Sequence, residues 1–363
     1  MPGYLRDQIG DKVRGGLWGE ARAPGHRHLL FALCDHFEPR WQAPPEDLAR
    51  QRVRRWTEGY PRLAAGFRDG DGRAPRHSFF YPAEEYAPQH LDGLADLARA
   101  GLGEVELHLH HDNDTAANFR LQVGQALQRY AGHGHLSQPG GRPRYGFIHG
   151  NWCLANARRD GRWCGIDAEL PLLHDTGCYA DFTFPAAPDE SQPKVVNRIY
   201  WPTGDLGRRR AADQGRLAQV GESFSDRILL IPGPLALTWR GEGPWRRRLR
   251  IENGDITAAN PASAQRVDAW VRQNIHVAGQ PAWVFVKVHT HGAQEAHQDA
   301  LLGPGARRLH EALARYNDGG RWSLHYVTAR EMYNVAKAAM AGKTGDPSGY
   351  FDFELPPPPI AKS

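Results

Sequence analysis

A chain of 363 residues with 40 Gly and 27 Pro has too many breakers for a helical bundle, and its 40 % apolar content excludes a disordered chain. Its 45 basic and 41 acidic side chains leave a formal charge of +4, and Arg208-Arg209-Arg210 and Arg246-Arg247-Arg248 are short enough to read as solvated faces. No nucleic-acid partner is expected. There is no run of 18 apolar residues, no apolar signal core near the N-terminus and no CxxC among four cysteines, so a cytoplasmic protein without a transmembrane segment is expected.

In chain order, Leu29 to Cys34 reads as a strand running into Asp35, and Pro44-Pro45 open a helix with the stripe Ala49, Val53, Trp56, Tyr60. His77 to Tyr81 is a second strand, followed by a helix bearing Leu91, Leu94 and Leu97 that stops at Gly101. Val105 to His110 is a third, after which Asp114 caps a helix with Phe119, Val123, Leu127 and Tyr130 on one face. Further strands are expected at Tyr145 to His149, Tyr179 to Phe184, Trp283 to His289 and Ser323 to Val327. Helices are expected from about Glu169, at Ala262 to Ile275, at Pro304 to Tyr316 and at Ala329 to Met340.

Seven strands with intervening helices predict a parallel α/β barrel spanning residues 28–340, after an N-terminal extension over 1–27. From about Ala186 to Asn260 the pattern turns to β segments, with Asn253-Gly254 as a hairpin signal, and predicts a β-rich insertion. The Pro-rich tail, 341–363, reads as an extended, loose end.

Ionisable residues collect where these strands end. Asp35-His36-Phe37-Glu38 follows the first, Glu106 to Asp112 closes the third, His149 ends the fourth, and His289-Thr290-His291 ends the sixth. In a parallel barrel these ends meet at one mouth. Period-two alternation puts Glu106, His108 and His110 on one face and Leu107, Leu109 and His111 on the other. His108 and His110 can then share a divalent metal, with His36 or Asp35 completing the set. Cys153 and Cys164 flank a loop; buried apolar thiols are the plainer reading, and a Cys-His zinc site is the other. No phosphate loop and no GxSxG nucleophile motif is present. Trp41, Trp152, Trp201, Trp239 and Trp245 could offer sugar-stacking faces.

Five segments in this order resemble the NodB-type polysaccharide deacetylases, carbohydrate esterase family four. They are Leu33-Cys34-Asp35-His36, Glu106-Leu107-His108-Leu109-His110, Phe147 to Trp152 with the following Glu169-Leu170 and Thr176 to Tyr179, Val286 to His289, and Tyr326 to Met332. The resemblance implies a distorted seven-stranded (β/α) barrel carrying a metal-dependent hydrolase that deacetylates N- or O-acetylated sugars of a polysaccharide. It implies Asp35 as general base, His289 as the acid for the departing amine, and His36, His108 and His110 as ligands of a divalent metal, expected to be zinc. His149, Asn151 and Trp152 would form the carbohydrate groove. Asp112 is the fallback ligand, Glu38 an orienter of His36, and His291 a further site residue. Two departures stand out: His36 replaces the family's metal-binding Asp, and Ile148-His149-Gly150-Asn151 replaces its Arg-x-Pro-Tyr. A barrel that binds carbohydrate without reacting, and a metal hydrolase or lyase of non-acetylated substrates, are the alternatives.

Overall fold

The computed structural model describes residues 25–240 and 248–362, so most of the N-terminal extension, Trp245 and the start of the second arginine triplet lie outside the described residues. The first strands are β1 (Arg27–His36), β2 (His77–Pro82), β3 (Gly103–Leu109), β4 (Tyr145–His149) and β5 (Cys178–Asp181). Then come β6 (Tyr200–Pro202), β7 (Gly215–Leu217), β8 (Leu229–Leu230), β9 (Ala236–Arg240), β10 (Arg248–Glu252), β11 (Trp283–Thr290) and β12 (Trp322–Tyr326). The seven expected strands are all present. β11, β1, β2, β3, β4 and β5 lie side by side in parallel, and β12 pairs in parallel with the first half of β1.

Every residue of β1 is buried because both faces of the sheet are covered. Leu29, Phe31 and Leu33 face outward, into a core with α1 (Glu46–Ala64), α2 (Pro88–Arg99) and α3 (Ala116–Gly132). The expected stripe Ala49, Val53, Trp56 and Tyr60 is the buried face of α1. Thr115, not Asp114, caps α3, accepting from the Asn118 amide at 3.2 Å, while Asp114 accepts from the Thr115 amide one residue earlier. The remaining helices are α4 (Glu169–Asp175), α5 (Ala264–Arg272), α6 (Glu295–Leu301), α7 (Pro304–Ala314) and α8 (Ala329–Met340). α6 was not expected; at seven residues it is too short for a periodic pattern to declare itself.

Leu30, Ala32 and Cys34 face the concave side, against α8, all twelve residues of which are buried. A capping box between Thr328 and Glu331 starts α8.

The barrel is not closed. The sheet curls from β11 round to β5, then continues through β8, parallel to β5, into the antiparallel pair β6 and β7. β8 is two residues long and runs into Ile231-Pro232-Gly233-Pro234, where two prolines remove the amides a ladder to β11 would need. Irregular chain bridges the gap: Phe285 donates to the Ile275 carbonyl at 2.8 Å and Ala278 to that of Ala218 at 2.9 Å.

The expected insertion therefore divides. β6, β7 and β8 belong to the main sheet, and only β9 and β10 form a separate hairpin, whose turn lies outside the described residues. Asn253-Gly254 is not its turn. Gly254, at φ +76°, ends the hairpin beside β11, where its carbonyl accepts from the His289 amide at 3.0 Å. The tail is docked, not loose: the Pro356 carbonyl accepts from Ser137 at 2.7 Å, the Ile360 amide donates to Gly134 at 3.1 Å, and Leu355 is buried.

The concave face holds two buried carboxylates below the mouth. Glu104 takes two bonds from the Arg330 guanidinium. Glu106 accepts from the Tyr179 hydroxyl and the Gly146 amide, but burial outweighs these bonds and the Arg330 charge and pushes its pKa up to about 8. A raised carboxyl pKa stabilises the fold below the unfolded value of 4.5, and that contribution is lost as pH rises through 8. Glu106→Gln should therefore gain stability relative to wild type between about pH 5 and 9 in thermal unfolding. A pH-independent difference would contradict the assignment.

Candidate metal centre

β1 delivers His36 at its last residue, on the concave side, and Glu38 follows two positions later as the chain leaves the sheet. β3 delivers His108 on the same side. Donor atoms of His36, Glu38 and His108 all lie within 4.8 Å of one another, and all three residues are buried. His108 donates from Nδ1 to the Ile148 carbonyl at 3.0 Å, which leaves Nε2 to point inward, 3.1 Å from Glu38 Oε1. Neither ring nitrogen of His36 has a hydrogen-bond partner, and neither has Glu38 Oε2. Such atoms cost stability when buried unless something binds them.

The charges fit a cation. Burial holds His36 well below the ordinary histidine pKa, with His291 and His108 adding to the effect, so it presents a neutral imidazole. Burial alone would raise Glu38, but hydrogen bonds from His108 and His110 outweigh it and keep the group ionised far below the usual carboxylate range. Two imidazoles and one carboxylate in a buried cluster are donors of the type a divalent ion takes.

Glu38, expected as an orienter, lies in the donor cluster, and His110, expected as a ligand, lies beside it. β3 ends at Leu109, so strand alternation does not carry His110 into the cluster. Its Nδ1 bonds Glu84 Oε1 at 2.6 Å and its Nε2 lies 3.3 Å from Glu38 Oε1, so it orients the carboxylate. Its ring lies over Gly150, where any Cβ would collide with it, and this accounts for a glycine in Ile148-His149-Gly150-Asn151. Glu84 was missed; an acid just past the end of β2 was the available signal.

Asp35 points the other way. Neighbours on a strand face opposite sides, so while His36 faces the concave side Asp35 faces the helices. There it accepts from His77 Nε2 at 2.9 Å and from the Gly292 amide at 2.6 Å, beneath Trp56, and Gly292 has no room for a Cβ beside the carboxylate. It braces the turn carrying His291 and does not face the His36 cluster, where the expected base would act. Asp35→Asn should keep its metal while losing about 1–3 kcal/mol of stability; metal analysis and thermal unfolding check this, and loss of metal would return Asp35 to the donor set.

His289, on β11, faces inward with its ring 6.2 Å from that of His36 and its Nδ1 unpartnered. His291 and Trp152 complete the mouth, with rings 4.7 and 5.6 Å from His36 and 6.0 Å from each other. His149 does not reach it: the ring is fully buried on the helix side against His111, 4.5 Å away, and its Nδ1 takes the Asn151 amide at 3.2 Å. Asn151 lies in the same partly exposed loop as Trp152. Asp112 is exposed and holds the Trp163 amide at 2.5 Å, away from the donor cluster. Trp201 is buried against Phe224 and offers no sugar-stacking face, whereas Trp239 on the hairpin is 55 % exposed.

No family model, no curated protein and no solved structure matches this chain. Among the described residues no helix is long and apolar enough to cross a membrane.

Proposed function

We propose that the protein is a metal-dependent hydrolase that removes acetyl groups from N- or O-acetylated sugars of a glycan, on a NodB-type scaffold. The observation that carries the hydrolytic reading is the buried donor set His36, Glu38 and His108, with unpartnered atoms gathered at the C-terminal end of a parallel sheet. The acetylated sugar follows from the resemblance of the strand-end motifs. Zinc is the ion assigned, because two His and one Glu form a donor set of zinc hydrolases that leaves a position open. When bound, it supplies Lewis-acid polarisation of an acyl carbonyl and a nucleophile at neutral pH.

The protein's own groups do the rest. His289, buried and facing the cluster, moves the proton: burial, with Lys287 beside it, keeps the imidazole neutral at rest, ready to take a proton from water and return it to the departing amine. One imidazole can serve as base and then acid, which covers the role left by Asp35. His110 and Glu84 orient Glu38, and the Asp35 brace on Gly292 sets the His291 turn. Trp152 offers an aromatic face for a sugar ring beside His36.

The test is acetate release from N-acetylated oligosaccharides such as chitin oligomers. Trp152→Ala should weaken oligosaccharide turnover more than hydrolysis of a small acetyl ester, and equal effects on both would remove Trp152 from the groove.

A further inference from the structure

A second group of donors lies on the other side of the sheet. His111 follows β3, His149 ends β4, Cys164 comes from the loop after β4, and Glu169 starts α4. All four are buried, and one donor atom from each lies within 4.8 Å of the others. Glu169 Oε1 is 3.1 Å from His111 Nε2 and 3.8 Å from His149 Nε2, and its Oε2 is 3.5 Å from Cys164 Sγ. Tetrahedral zinc, with bonds of about 2.0 to 2.3 Å, sets neighbouring donors roughly 3.3 to 3.8 Å apart. His149 Nε2 has no hydrogen-bond partner, and one wall of the cluster is thereby unsatisfied.

We propose that His111, His149, Cys164 and Glu169 bind a structural zinc ion, separate from the metal centre at the mouth. The set is closed, with four protein donors and no open position, as structural zinc sites are. Two neutral imidazoles, a thiolate and a carboxylate carry two negative charges to match the ion, and the mix of sulfur and nitrogen favours zinc over a harder cation.

The surroundings are built for it. With His111 bound through Nε2, its Nδ1, which has no hydrogen-bond partner, lies 3.4 Å from Asp114 Oδ2, close to the carboxylate-histidine-metal arrangement that orients an imidazole ligand. The Asp114 amide donates to the Cys164 carbonyl at 3.0 Å, pinning the cysteine loop to the His111 loop, and Gly165 at φ +93° has backbone where a Cβ would sit. The Ala155 amide holds Glu169 Oε2 at 2.7 Å. Binding through His149 Nε2 moves the ring proton to Nδ1, so the Asn151 amide, 3.2 Å away, gives up its bond to His149. The ion displaces the thiol proton of Cys164. It ties the loops after β3 and β4 to α4, and so fixes the segment that carries Trp152.

This site does not depend on the hydrolytic reading. Metal analysis of the full chain should find one zinc equivalent more in wild type than in Cys164→Ser, and His36→Ala should keep that equivalent. Cobalt-exchanged wild type should show a sulfur-to-cobalt charge-transfer band that persists in His36→Ala and vanishes in Cys164→Ser. Should Cys164→Ser fail to fold, the band in wild type and in His36→Ala decides alone. Absence of the band, or full metal content in folded Cys164→Ser, would overturn the proposal.

Discussion

His108→Ala is expected to lose the metal at the mouth, with affinity falling by a hundredfold or more, since even an outer partner of a ligand is worth roughly 10- to 100-fold. His108 is the donor whose tautomer is fixed most firmly, by the Ile148 carbonyl, so its Nε2 lone pair faces the cluster beside Glu38. Acetate release should fall with the metal. His110→Ala removes only the orienting contact to Glu38, so it should bind metal more weakly by roughly 10- to 100-fold and keep activity at saturating metal. Isothermal titration with zinc separates the two variants. Equal loss in both would restore His110 to the ligands.

The largest expected effect on stability comes from Arg330. Its guanidinium is buried beneath α8, where it pairs with Glu104 at 2.8 and 3.0 Å, with Asp352 at 2.7 Å, and donates to the Phe351 and Leu355 carbonyls. These bonds join β3, α8 and the docked tail. Arg330→Met fills much of the same space but takes the closest cation from Glu104, leaving it the Thr328 hydroxyl at 2.9 Å and Arg76 at 3.7 Å, and breaking a buried pair in this way costs about 3–5 kcal/mol. For a chain of 363 residues that is a fall of roughly 4–7 °C in Tm. Adding Glu104→Gln removes the stranded charge and should recover part of the loss. Additive losses in the double variant would mean the two side chains act independently.

The sheet was legible because its strands follow one strong rule. Leu29 to Cys34 is continuously apolar and Trp283 to Val288 is interrupted only by Lys287, as strands covered on both faces tend to be, and both runs lead into ionisable residues. The same alternation placed Glu106 and His108 together and His111 opposite. Beyond strand ends it gave no guidance. His110 lies past β3 and Glu38 past β1, so their places at the cluster depend on loop conformation. Asp35 stands directly before His36, and the face it takes follows from the alternation that governed the rest of β1; the family resemblance to two adjacent acids hid that consequence. Barrel closure failed for a local reason, the prolines after β8, although Pro232-Gly233-Pro234 was plain in the sequence. The His111, His149, Cys164 and Glu169 cluster was the hardest to foresee. Its members come from a strand end, two loops and a helix start, and no spacing along the chain brings them together.

The reaction itself tests the central claim most directly. Zinc-loaded wild type and zinc-loaded His36→Ala are incubated with N-acetylated oligosaccharides and the acetate released is measured, with a chelated and re-metallated wild-type sample alongside. Release by wild type, its loss on chelation, its return with metal, and a fall of roughly a hundredfold or more in His36→Ala, which lacks a ligand of the ion, are expected. No acetate from fully loaded wild type, or equal release from His36→Ala, would contradict the claim.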